Sequence, residues 1–314
     1  MGKVLAVCTS PQKGTLKTDV GSALFRENWG IETDAHAGDW HRQVSLLSYE
    51  KIAAFRDKLW VDFGAFGENL VVEGFDFRNL PVGSRFKVGE VILEMTQIGK
   101  ECHSDCAIKQ QTGDCIMPRE GVFARVLHGG TVSVGDEMEL LPLDPNRPLR
   151  AAVITLSDKG AKGERVDESG PLAAKILGDA GYQVEETLML PDGIQPLQTN
   201  LIRLSDMRQI DLILTTGGTG FSPRDLTPEA TMQVMTRNAP GIAEAMRAYS
   251  LTITPRAMLS RAASVLRGKT LIVNLPGSPK AVREHLEYIL PTLRHGILVA
   301  TGRDGECAVT EDKQ

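Results

Sequence analysis

The residues with the clearest chemical potential follow a short apolar run at Leu212–Thr215. A glycine-rich turn comes next, at Thr216–Gly220, and the acid Asp225 lies shortly after it. Because glycine has no Cβ, backbone N–H groups in such a turn approach a bound oxyanion closely. The candidate phosphate-binding residues are therefore Gly217, Gly218, Thr219 and Gly220. A tight strand-to-helix turn without a ligand is the alternative, since the turn has neither the lysine of a Walker loop nor the spacing of a dinucleotide fingerprint.

A second acid, Asp192, follows another β-like run that ends at Leu190. Loops that follow parallel strands meet at the carboxyl edge of the sheet, so we expect Asp192 and Asp225 to share one crevice. Carboxylates beside a polyphosphate typically hold Mg²⁺, which neutralises charge and activates the phosphoryl centre. Taken alone, each acid is more often a solvated turn residue or a helix cap. Their shared position makes both of them candidate catalytic residues and metal ligands.

Three further polar segments extend this candidate anion site. They are Ser157–Gly160, Arg256–Arg261 and Asn274–Lys280, and the last of them follows a buried run and precedes a helix. Hydroxyl, ammonium and guanidinium groups bind phosphate or the polar edge of a ring. A helix with surface arginines is the alternative for the middle segment. The candidate ligand-binding residues are Ser157, Asp158, Ser260, Arg261, Asn274, Pro276, Gly277, Ser278 and Lys280.

The first half of the chain has one cysteine suited to catalysis, Cys102, which lies near Lys100 and His103. Nearby positive charge lowers a thiol pKa and favours a nucleophilic thiolate. Alternatively, Cys102 and His103 together with Cys106 and Cys115 would bind a soft metal such as zinc, although their spacing matches no familiar zinc module. Cys106 and Cys115 are otherwise expected to be unreactive packing residues.

A proline-rich segment, Leu141–Pro148, separates two halves with different sequence patterns. Proline cannot donate to a strand ladder and restricts the residue before it, so this segment predicts an extended linker. We therefore predict two domains, at residues 1–142 and 149–314.

The first half alternates short β-like runs with glycine-rich turns and contains one convincing helical run, Tyr49–Leu59. This pattern is typical of a compact β fold or barrel. The predicted strands are Lys3–Thr9, Arg42–Leu47, Asn69–Val72, Arg85–Val88, Val91–Thr96 and Glu137–Leu141.

The second half alternates strands and helices, which is typical of an α/β domain with a mostly parallel sheet and ligand loops after the strands. Its first strand, Ala151–Leu156, is almost continuously apolar, as expected when both faces of the sheet are covered. The other predicted strands are Tyr182–Leu190, Asp211–Thr216 and Thr270–Leu275. The predicted helices are Pro171–Ala180, Ile194–Met207, Pro228–Met235, Gly241–Thr252 and Pro279–Gly296.

The composition excludes several classes of protein. The 314 residues carry 35 Lys and Arg against 40 Asp and Glu, a net charge of −5, which argues against a general nucleic-acid binder. No apolar run reaches the length of a signal peptide core or a membrane span. Five cysteines are an odd and sparse set that does not resemble a secreted disulfide framework. We expect a cytoplasmic protein.

The motifs of the second half resemble the MogA/MoaB molybdopterin-binding family over roughly residues 149–310. The resemblance implies molybdopterin adenylyltransferase activity, in which the terminal phosphate of molybdopterin attacks the α-phosphate of Mg-ATP and pyrophosphate leaves. It also implies that Asp192 and Asp225 are the essential acids and that the protein is a trimer. The matching motifs are Ser157–Lys159, Pro191–Asp192, Thr215–Gly220, Arg224–Thr231, Ala257–Arg261 and Asn274–Lys280.

The first half, over roughly residues 1–142, resembles a MOSC domain. The resemblance implies a β-barrel that binds a pterin–molybdenum ligand and, in some members, carries sulfur on a cysteine, here Cys102. The matching segments are Asp34–Ser45, Phe66–Leu70, Pro81–Gly83, Gln97–Cys102 and Gly129–Asp136. The implied ligand residues are His36, His41, Arg42, Glu68 and Asn69.

Together the two resemblances predict a protein of molybdenum cofactor biosynthesis. Its ligands would be Mg²⁺, ATP and molybdopterin, and its partners a cysteine desulfurase that donates sulfur or a molybdoenzyme that receives the cofactor. Tethering two handlers of one labile pterin raises the effective concentration of the intermediate at the second site. The alternative is a cofactor carrier in which both domains bind and neither catalyses a reaction.

Overall fold

In the computed structural model, described here at residues 1–101, 109 and 113–303, the chain divides into two units. They comprise Met1–Asp144 and Pro145–Gln314. The proline-rich segment Leu141–Pro148 lies where one unit ends and the other begins. Among the described helices, none is long and apolar enough to cross a membrane.

The N-terminal unit is built on a closed barrel of seven strands in the order β11-β7-β8-β9-β5-β6-β1, with β1 pairing back onto β11. One pair, β5 with β6, is parallel. The strands of this unit are β1 (Gly2–Thr9), β2 (Thr18–Asp19), β3 (Ser22–Arg26), β4 (Gly30–Ile31), β5 (Val44–Ser48), β6 (Leu70–Glu73), β7 (Arg85–Val88), β8 (Val91–Ile98), β9 (Val122–His128), β10 (Gly130–Ser133) and β11 (Glu137–Leu141). Among the residues that the structure describes, the helices of this unit include α1 (Tyr49–Arg56), α2 (Met117–Glu120) and a 3₁₀ turn at Phe77–Asn79.

The barrel interior is an apolar core. Val4, Leu46, Leu70, Leu93 and Val126 come from five different barrel strands, and all are fully buried within it. Inward and outward side chains alternate along a strand, so each strand contributes every second residue to this core.

The sequence pattern does not predict the central strand β9. Its apolar run is interrupted by Arg125, whose charge makes the segment resemble a surface loop. In the structure Arg125 Nη2 donates to Glu94 Oε1 on the neighbouring strand β8 at 2.7 Å. A cross-strand ion pair therefore satisfies the charge within the sheet.

The C-terminal unit contains a six-stranded sheet in the order β13-β12-β14-β17-β16-β15. The strands β13, β12, β14 and β17 run parallel to one another. Strand β16 runs antiparallel to both of its neighbours, β17 and β15. The strands are β12 (Arg150–Leu156), β13 (Gln183–Leu190), β14 (Leu212–Thr216), β15 (Arg237–Asn238), β16 (Ser264–Arg267) and β17 (Thr270–Leu275). The helices are α3 (Asp158–Ala161), α4 (Ser169–Asp179), α5 (Ile194–Ile202), α6 (Thr227–Gln233), α7 (Pro240–Leu251) and α8 (Pro279–Thr301), with a π turn at Arg203–Met207 and a 3₁₀ turn at Pro255–Leu259.

Helices cover both faces of this sheet. Along β12, Ala151 and Val153 pack in a core with α4, α7 and α8, whereas Ala152 and Ile154 pack in a second core with α5 and α6. A strand buried on both faces is apolar at nearly every position, which is why the run is recognisable from the sequence. The structure confirms both predicted fold classes: a β barrel followed by a three-layer α/β domain with a mostly parallel sheet.

Candidate functional site

A cavity of about 700 Å³ lies where the parallel strands of the C-terminal unit end. It is bordered by the loops that follow β12, β13, β14 and β17, as the rule for parallel sheets predicts. Seven of the sequence candidates line it: Ser157, Asp192, Gly217, Gly218, Asp225, Gly277 and Ser278. We call this the acid-lined cavity.

The glycine turn after β14 forms one wall of the acid-lined cavity. Gly217 and Gly218 have φ angles of +96° and +64°, which L-residues with a side chain rarely adopt. A Cβ on Gly217 would lie 2.5 Å from the carbonyl oxygen of Leu156, and one on Gly218 would lie 2.3 Å from Thr227 Oγ1. Glycine is therefore required at both positions of the cavity wall.

Asp192 is held by a reciprocal pair of hydrogen bonds with Asp158. The N–H of Asp158 donates to Asp192 Oδ2 at 3.1 Å, and the N–H of Asp192 donates to Asp158 Oδ1 at 3.2 Å. The outer oxygen of Asp158 pairs with Arg224. The loops after β12 and β13 are thus locked to each other, and Asp192 is fixed at the cavity edge.

The environment of Asp192 suits a cation. Burial raises the pKa of its carboxyl above the ordinary range, and the negative charges of Asp158 and Asp225 add to that rise, against the lowering effect of the Asp158 N–H and of Arg224. A bound cation would relieve both the desolvation and the repulsion.

The described residues contain no group of three or more His, Cys, Asp or Glu side chains spaced to hold a metal by themselves. Mg²⁺, however, commonly binds through one or two carboxylates, water and substrate phosphates. Asp192 and Asp225, on one cavity, fit that kind of site.

Arg261 has a different position from the one predicted. Its Nε donates to the carbonyl oxygen of Gly220 at 2.8 Å, its Nη2 donates to the carbonyl oxygen of Asp225, and its Nη1 pairs with Glu229. The backbone N–H of Arg261 also donates to the carbonyl oxygen of Thr219 at 3.0 Å. Arg261 thus holds the two ends of the loop that carries Asp225.

Two other candidates also lie away from the acid-lined cavity. Asn274 is fully buried, and its Nδ2 donates to Thr215 Oγ1 and Thr231 Oγ1 at 2.9 Å each, which joins β17 to β14 and α6. Lys280 is exposed and lies 3.8 Å from Glu284 one turn along α8. In the described structure these side chains stabilise the fold and the helix rather than line the cavity.

Sequence reasoning missed Asp167 on the cavity wall. Asp167 Oδ2 accepts from Thr155 Oγ1 at 2.7 Å, and Oδ1 accepts from the N–H groups of Ser169 and Gly170 at 3.0 Å each. An acid immediately before a helix is an N-terminal signal that the sequence does contain. Its place beside the glycine turn depends on the pairing of β12 with β14, which no local pattern indicates.

The remaining candidates, Thr219, Gly220, Ser260 and Pro276, line a second cavity of about 300 Å³. We call this the apolar cavity. The two cavities share the glycine turn, because its first two glycines line one and Thr219–Gly220 line the other.

The N-terminal unit has its own pocket, of about 120 Å³, which we call the barrel pocket. Its lining includes the predicted residues His36, Arg42 and Asn69, together with Lys17 and Lys100. The Arg42 guanidinium lies 4.7 Å from the Trp40 ring centroid and 5.5 Å from that of Phe123. Basic side chains on the wall make the pocket suitable for an anion.

A buried ion pair lies beside the barrel pocket. Lys17 Nζ is 2.9 Å from Asp34 Oδ2, and both side chains are almost completely buried. Burial opposes ionisation of Asp34, but hydrogen bonds from His36, Lys17 and the Ser10 N–H, together with the Lys17 charge, hold its pKa well below the usual range. Sequence reasoning did not single out Lys17.

His41 and Glu68 do not line the barrel pocket. His41 Nε2 is hydrogen-bonded to Gln97 Oε1 at 2.9 Å. Glu68 is fully buried, and its two oxygens accept from the N–H groups of Gly64 at 2.7 Å and Phe66 at 3.0 Å. Burial raises the pKa of Glu68 to about 7.

The structure places Asn69 both on the pocket wall and in a structural network. Its Oδ1 accepts from the Ser45 N–H at 3.0 Å, and its Nδ2 donates to the carbonyl oxygen of Cys8 at 2.9 Å. Cys102, His103 and Cys106 lie outside the described residues. Cys8 and Cys115 are buried, and burial raises the pKa of the Cys8 thiol, which keeps it unreactive.

Comparison with known proteins agrees with both resemblances. Residues 152–295 match the family model of a probable molybdopterin binding domain, and residues 33–139 match that of the MOSC domain. A molybdopterin adenylyltransferase of Helicobacter pylori is 38% identical over 156 residues, which cover 49% of this chain and 89% of that protein. Gephyrin of Dictyostelium discoideum is 42% identical over 155 residues, 46% of this chain, but the chain spans only 21% of gephyrin's length.

Among solved structures, the molybdopterin biosynthesis enzyme MoaB of Thermus thermophilus is 45% identical, with a TM-score of 0.47. That alignment covers 49% of this chain and 97% of the other.

The α/β fold of the C-terminal unit and these matches define a protein of the molybdopterin-binding class. The chain belongs to the MogA/MoaB family of molybdenum cofactor biosynthesis proteins, and it carries a MOSC domain in its N-terminal unit.

Proposed function

We propose that the C-terminal unit transfers the adenylyl group of Mg-ATP to molybdopterin. A phosphate oxygen of molybdopterin forms a bond to the α-phosphorus of ATP, the bond from that phosphorus to the bridging oxygen of the β-phosphate breaks, and pyrophosphate leaves. The single observation that carries the proposal is the convergence of Gly217, Gly218, Asp192 and Asp225 on one cavity of about 700 Å³.

Different residues of the acid-lined cavity would have different roles in this reaction. The Gly218 N–H and the hydroxyl of Ser278 would bind phosphate oxygens, whereas the Gly217 N–H already donates to the carbonyl oxygen of Leu275. Asp192 and Asp225 would hold Mg²⁺, which, when bound, offsets the charge that develops on the phosphates. Arg261 keeps Asp225 in place through the main chain of its loop.

The proposal is tested by incubating the protein with molybdopterin and labelled Mg-ATP and measuring pyrophosphate release. Asp225→Asn should abolish release, whereas Asp179→Asn, at an exposed acid paired with Lys175 on α4, should leave it unchanged. Full turnover by Asp225→Asn would remove this acid from the mechanism. Molybdopterin binding without any pyrophosphate release by the unaltered protein would favour the carrier function instead.

For the N-terminal unit, we propose that the barrel pocket binds the cofactor and that Cys102 carries sulfur to it. Two observations support this: the pocket wall is basic, and it includes Lys100, which is close to Cys102 in the chain. A cysteine desulfurase would supply the sulfur, since its persulfide passes the outer sulfur atom to the Cys102 thiolate and leaves as a thiolate itself.

Mass spectrometry after exposure to a cysteine desulfurase tests this second proposal. A mass gain of one sulfur on Cys102 is expected, with none on the buried Cys8 as an internal control. Cofactor binding that survives Cys102→Ala without sulfur transfer would favour a pocket that only binds. Zinc bound in a one-to-one ratio at this cysteine would exclude the sulfur-carrier role.

We also propose that the chain forms a homotrimer through its C-terminal unit and passes its product to a molybdoenzyme. Sedimentation or light scattering of the full chain tests the first point, since a stable monomer or dimer would contradict it. Co-purification with a molybdoenzyme in the presence of molybdopterin and Mg-ATP tests the second.

A further inference from the structure

Arg165 is a cationic side chain on the wall of the acid-lined cavity, and the reaction proposed above assigns it no role. The other ionisable side chains on the described lining are all acids, namely Asp167, Glu168, Asp192 and Asp225. In the proposed reaction both substrates bring phosphate groups into this cavity, so their negative charge meets a mostly acidic wall. Mg²⁺ at the two catalytic acids would offset part of that charge. A guanidinium group on the same wall can offset more of it.

The guanidinium of Arg165 is not committed to another group of the protein. The residue is exposed, and among the described residues its side chain has no ion pair and no hydrogen bond. Arg224 and Arg261, which hold neighbouring loops, are by contrast paired with Asp158 and Glu229. An arginine without a protein partner keeps its planar set of N–H donors for a ligand, and that set matches two phosphate oxygens at once.

The loop that carries Arg165 joins α3 to α4 and is anchored on both sides of this residue. Before it, the N–H of Glu164 donates to the carbonyl oxygen of Lys159 at 2.8 Å. After it, Asp167 Oδ2 accepts from Thr155 Oγ1 at 2.7 Å. The two residues between these anchors make no hydrogen bond among the described residues. The anchors therefore keep the loop at the cavity, and Arg165 can turn towards a ligand without breaking a contact.

We propose that Arg165 binds the phosphates of ATP that leave as pyrophosphate. This inference rests on the proposed adenylyl transfer and adds a residue to it. When the bond from the α-phosphorus to the bridging oxygen breaks, its electron pair stays on that oxygen, and the pyrophosphate gains negative charge. The Arg165 guanidinium donates N–H groups to the phosphate oxygens, and its attraction strengthens as this charge develops. The polyphosphate of ATP is its partner, rather than the phosphate of molybdopterin, because it carries more negative charge.

The first experiment measures binding without turnover. Inorganic pyrophosphate is titrated calorimetrically against the full chain with Mg²⁺ and without molybdopterin. Arg165→Ala should weaken binding about tenfold or more, the value of hydrogen bonds between charged groups. Arg165→Lys should bind with intermediate affinity, because lysine keeps the charge but not the paired donors. Lys162→Ala is the matched control, since it removes the same charge from an exposed position of the same loop outside the described lining, and it should bind like the unaltered protein.

The second experiment measures pyrophosphate release from molybdopterin and Mg-ATP. Arg165→Ala should lower kcat by about 100-fold or more, with an unaltered melting temperature. Guanidinium ions at millimolar concentration should restore part of the rate of this variant, because they can occupy the place of the missing side chain. A purely structural role of Arg165 would instead lower the melting temperature and leave added guanidinium without effect, and that result would exclude the proposed role.

Three other results would overturn the proposal. They are equal binding of pyrophosphate by Arg165→Ala and the unaltered protein, no binding by the unaltered protein, and turnover that Arg165→Ala leaves unchanged. Failure of adenylyl transfer itself looks different: pyrophosphate would bind in a manner that depends on Arg165, but the unaltered protein would release none from Mg-ATP. Arg165 would then remain a phosphate-binding residue, and the transfer reaction alone would be excluded.

Discussion

Arg261 holds Asp225 through the main chain: its Nη2 donates to the backbone carbonyl oxygen of Asp225 and not to the carboxylate. The same guanidinium binds the carbonyl oxygen of Gly220, so both ends of the loop between these residues meet on one side chain. The carboxylate of Asp225 consequently remains on the acid-lined cavity, where Oδ2 accepts a hydrogen bond from the Ser222 N–H at 3.0 Å. Arg261 is therefore a positioning residue for Asp225.

Arg261→Lys should distinguish the effect of the positive charge at this position from the effect of the hydrogen bonds made by the planar guanidinium group. Lysine keeps the positive charge but cannot reach two carbonyl oxygens and Glu229 from one planar group. Because a displacement of about 1 Å costs roughly 100-fold in rate, we expect kcat for pyrophosphate release to fall 10- to 100-fold with a smaller change in KM for ATP.

A role of Arg261 in binding phosphate directly would give the opposite pattern, with KM raised and kcat preserved. Arg283→Lys, at an exposed ion pair with Glu287 on α8, is the control for a change of arginine to lysine and should be silent.

Asp192→Asn should remove the charge of Asp192 and keep its place. Asparagine still accepts the Asp158 N–H through its oxygen, so the melting temperature should stay the same or rise slightly as a buried charge is lost. Pyrophosphate release should fall by about 100-fold or more if this acid holds the metal. Asp206→Asn, at an acid paired with Arg267, should retain full activity. A similar loss in both variants would contradict a specific role for Asp192.

Lys17→Met should destabilise the N-terminal unit. It leaves the Asp34 carboxylate buried without its partner, and breaking a buried ion pair in this way costs about 3–5 kcal/mol. Tryptophan fluorescence during urea unfolding measures the effect, because all 3 tryptophans of the chain lie in this unit. Arg26→Met breaks an exposed pair with Glu32 and should cost less than about 1 kcal/mol. If Lys17→Met and Arg26→Met lowered the free energy of unfolding by the same amount, burial would not account for the strength of the Lys17–Asp34 pair.

Glu68 should make the N-terminal unit less stable as pH rises from about 4.5 to about 7. In that window the folded state keeps its proton, because the pKa of buried Glu68 is raised to about 7, while the unfolded chain has released it. The unfolded state then binds fewer protons, so the free energy of unfolding falls with rising pH. The fall is roughly 3 kcal/mol at most and stops above the folded pKa.

Glu68→Gln should remove this slope, since glutamine does not titrate. It should also lower stability at acid pH, because only one of its two terminal atoms accepts an N–H from Gly64 or Phe66. Urea unfolding followed by tryptophan fluorescence at a series of pH values provides the measurement. A slope that persists in Glu68→Gln would assign it to another group.

The pattern of apolar residues along the sequence predicts much of the C-terminal fold. The strand at Thr270–Leu275 is predicted with its observed bounds, and the other three parallel strands to within one residue at either end. Strands buried on both faces are continuous apolar runs, and this signal needs no knowledge of neighbours. The short strands β2, β3 and β4 of the N-terminal unit lack such runs and are not predicted, because two to five residues carry too little apolar pattern.

The sequence by itself predicts the linker, and it determined the glycine turn and the convergence of Asp192 with Asp225. Proline geometry, the φ freedom of glycine and the common edge of parallel strands are properties of the residues and of the sheet rule alone. Tertiary structure decided the partners of long polar side chains. Arg261 binds backbone carbonyls, Asn274 is buried between strands, and Lys17 pairs with Asp34. The reason is physical: a buried polar group binds whatever partner the fold brings within hydrogen-bond distance, and that partner is set by residues far away in the chain.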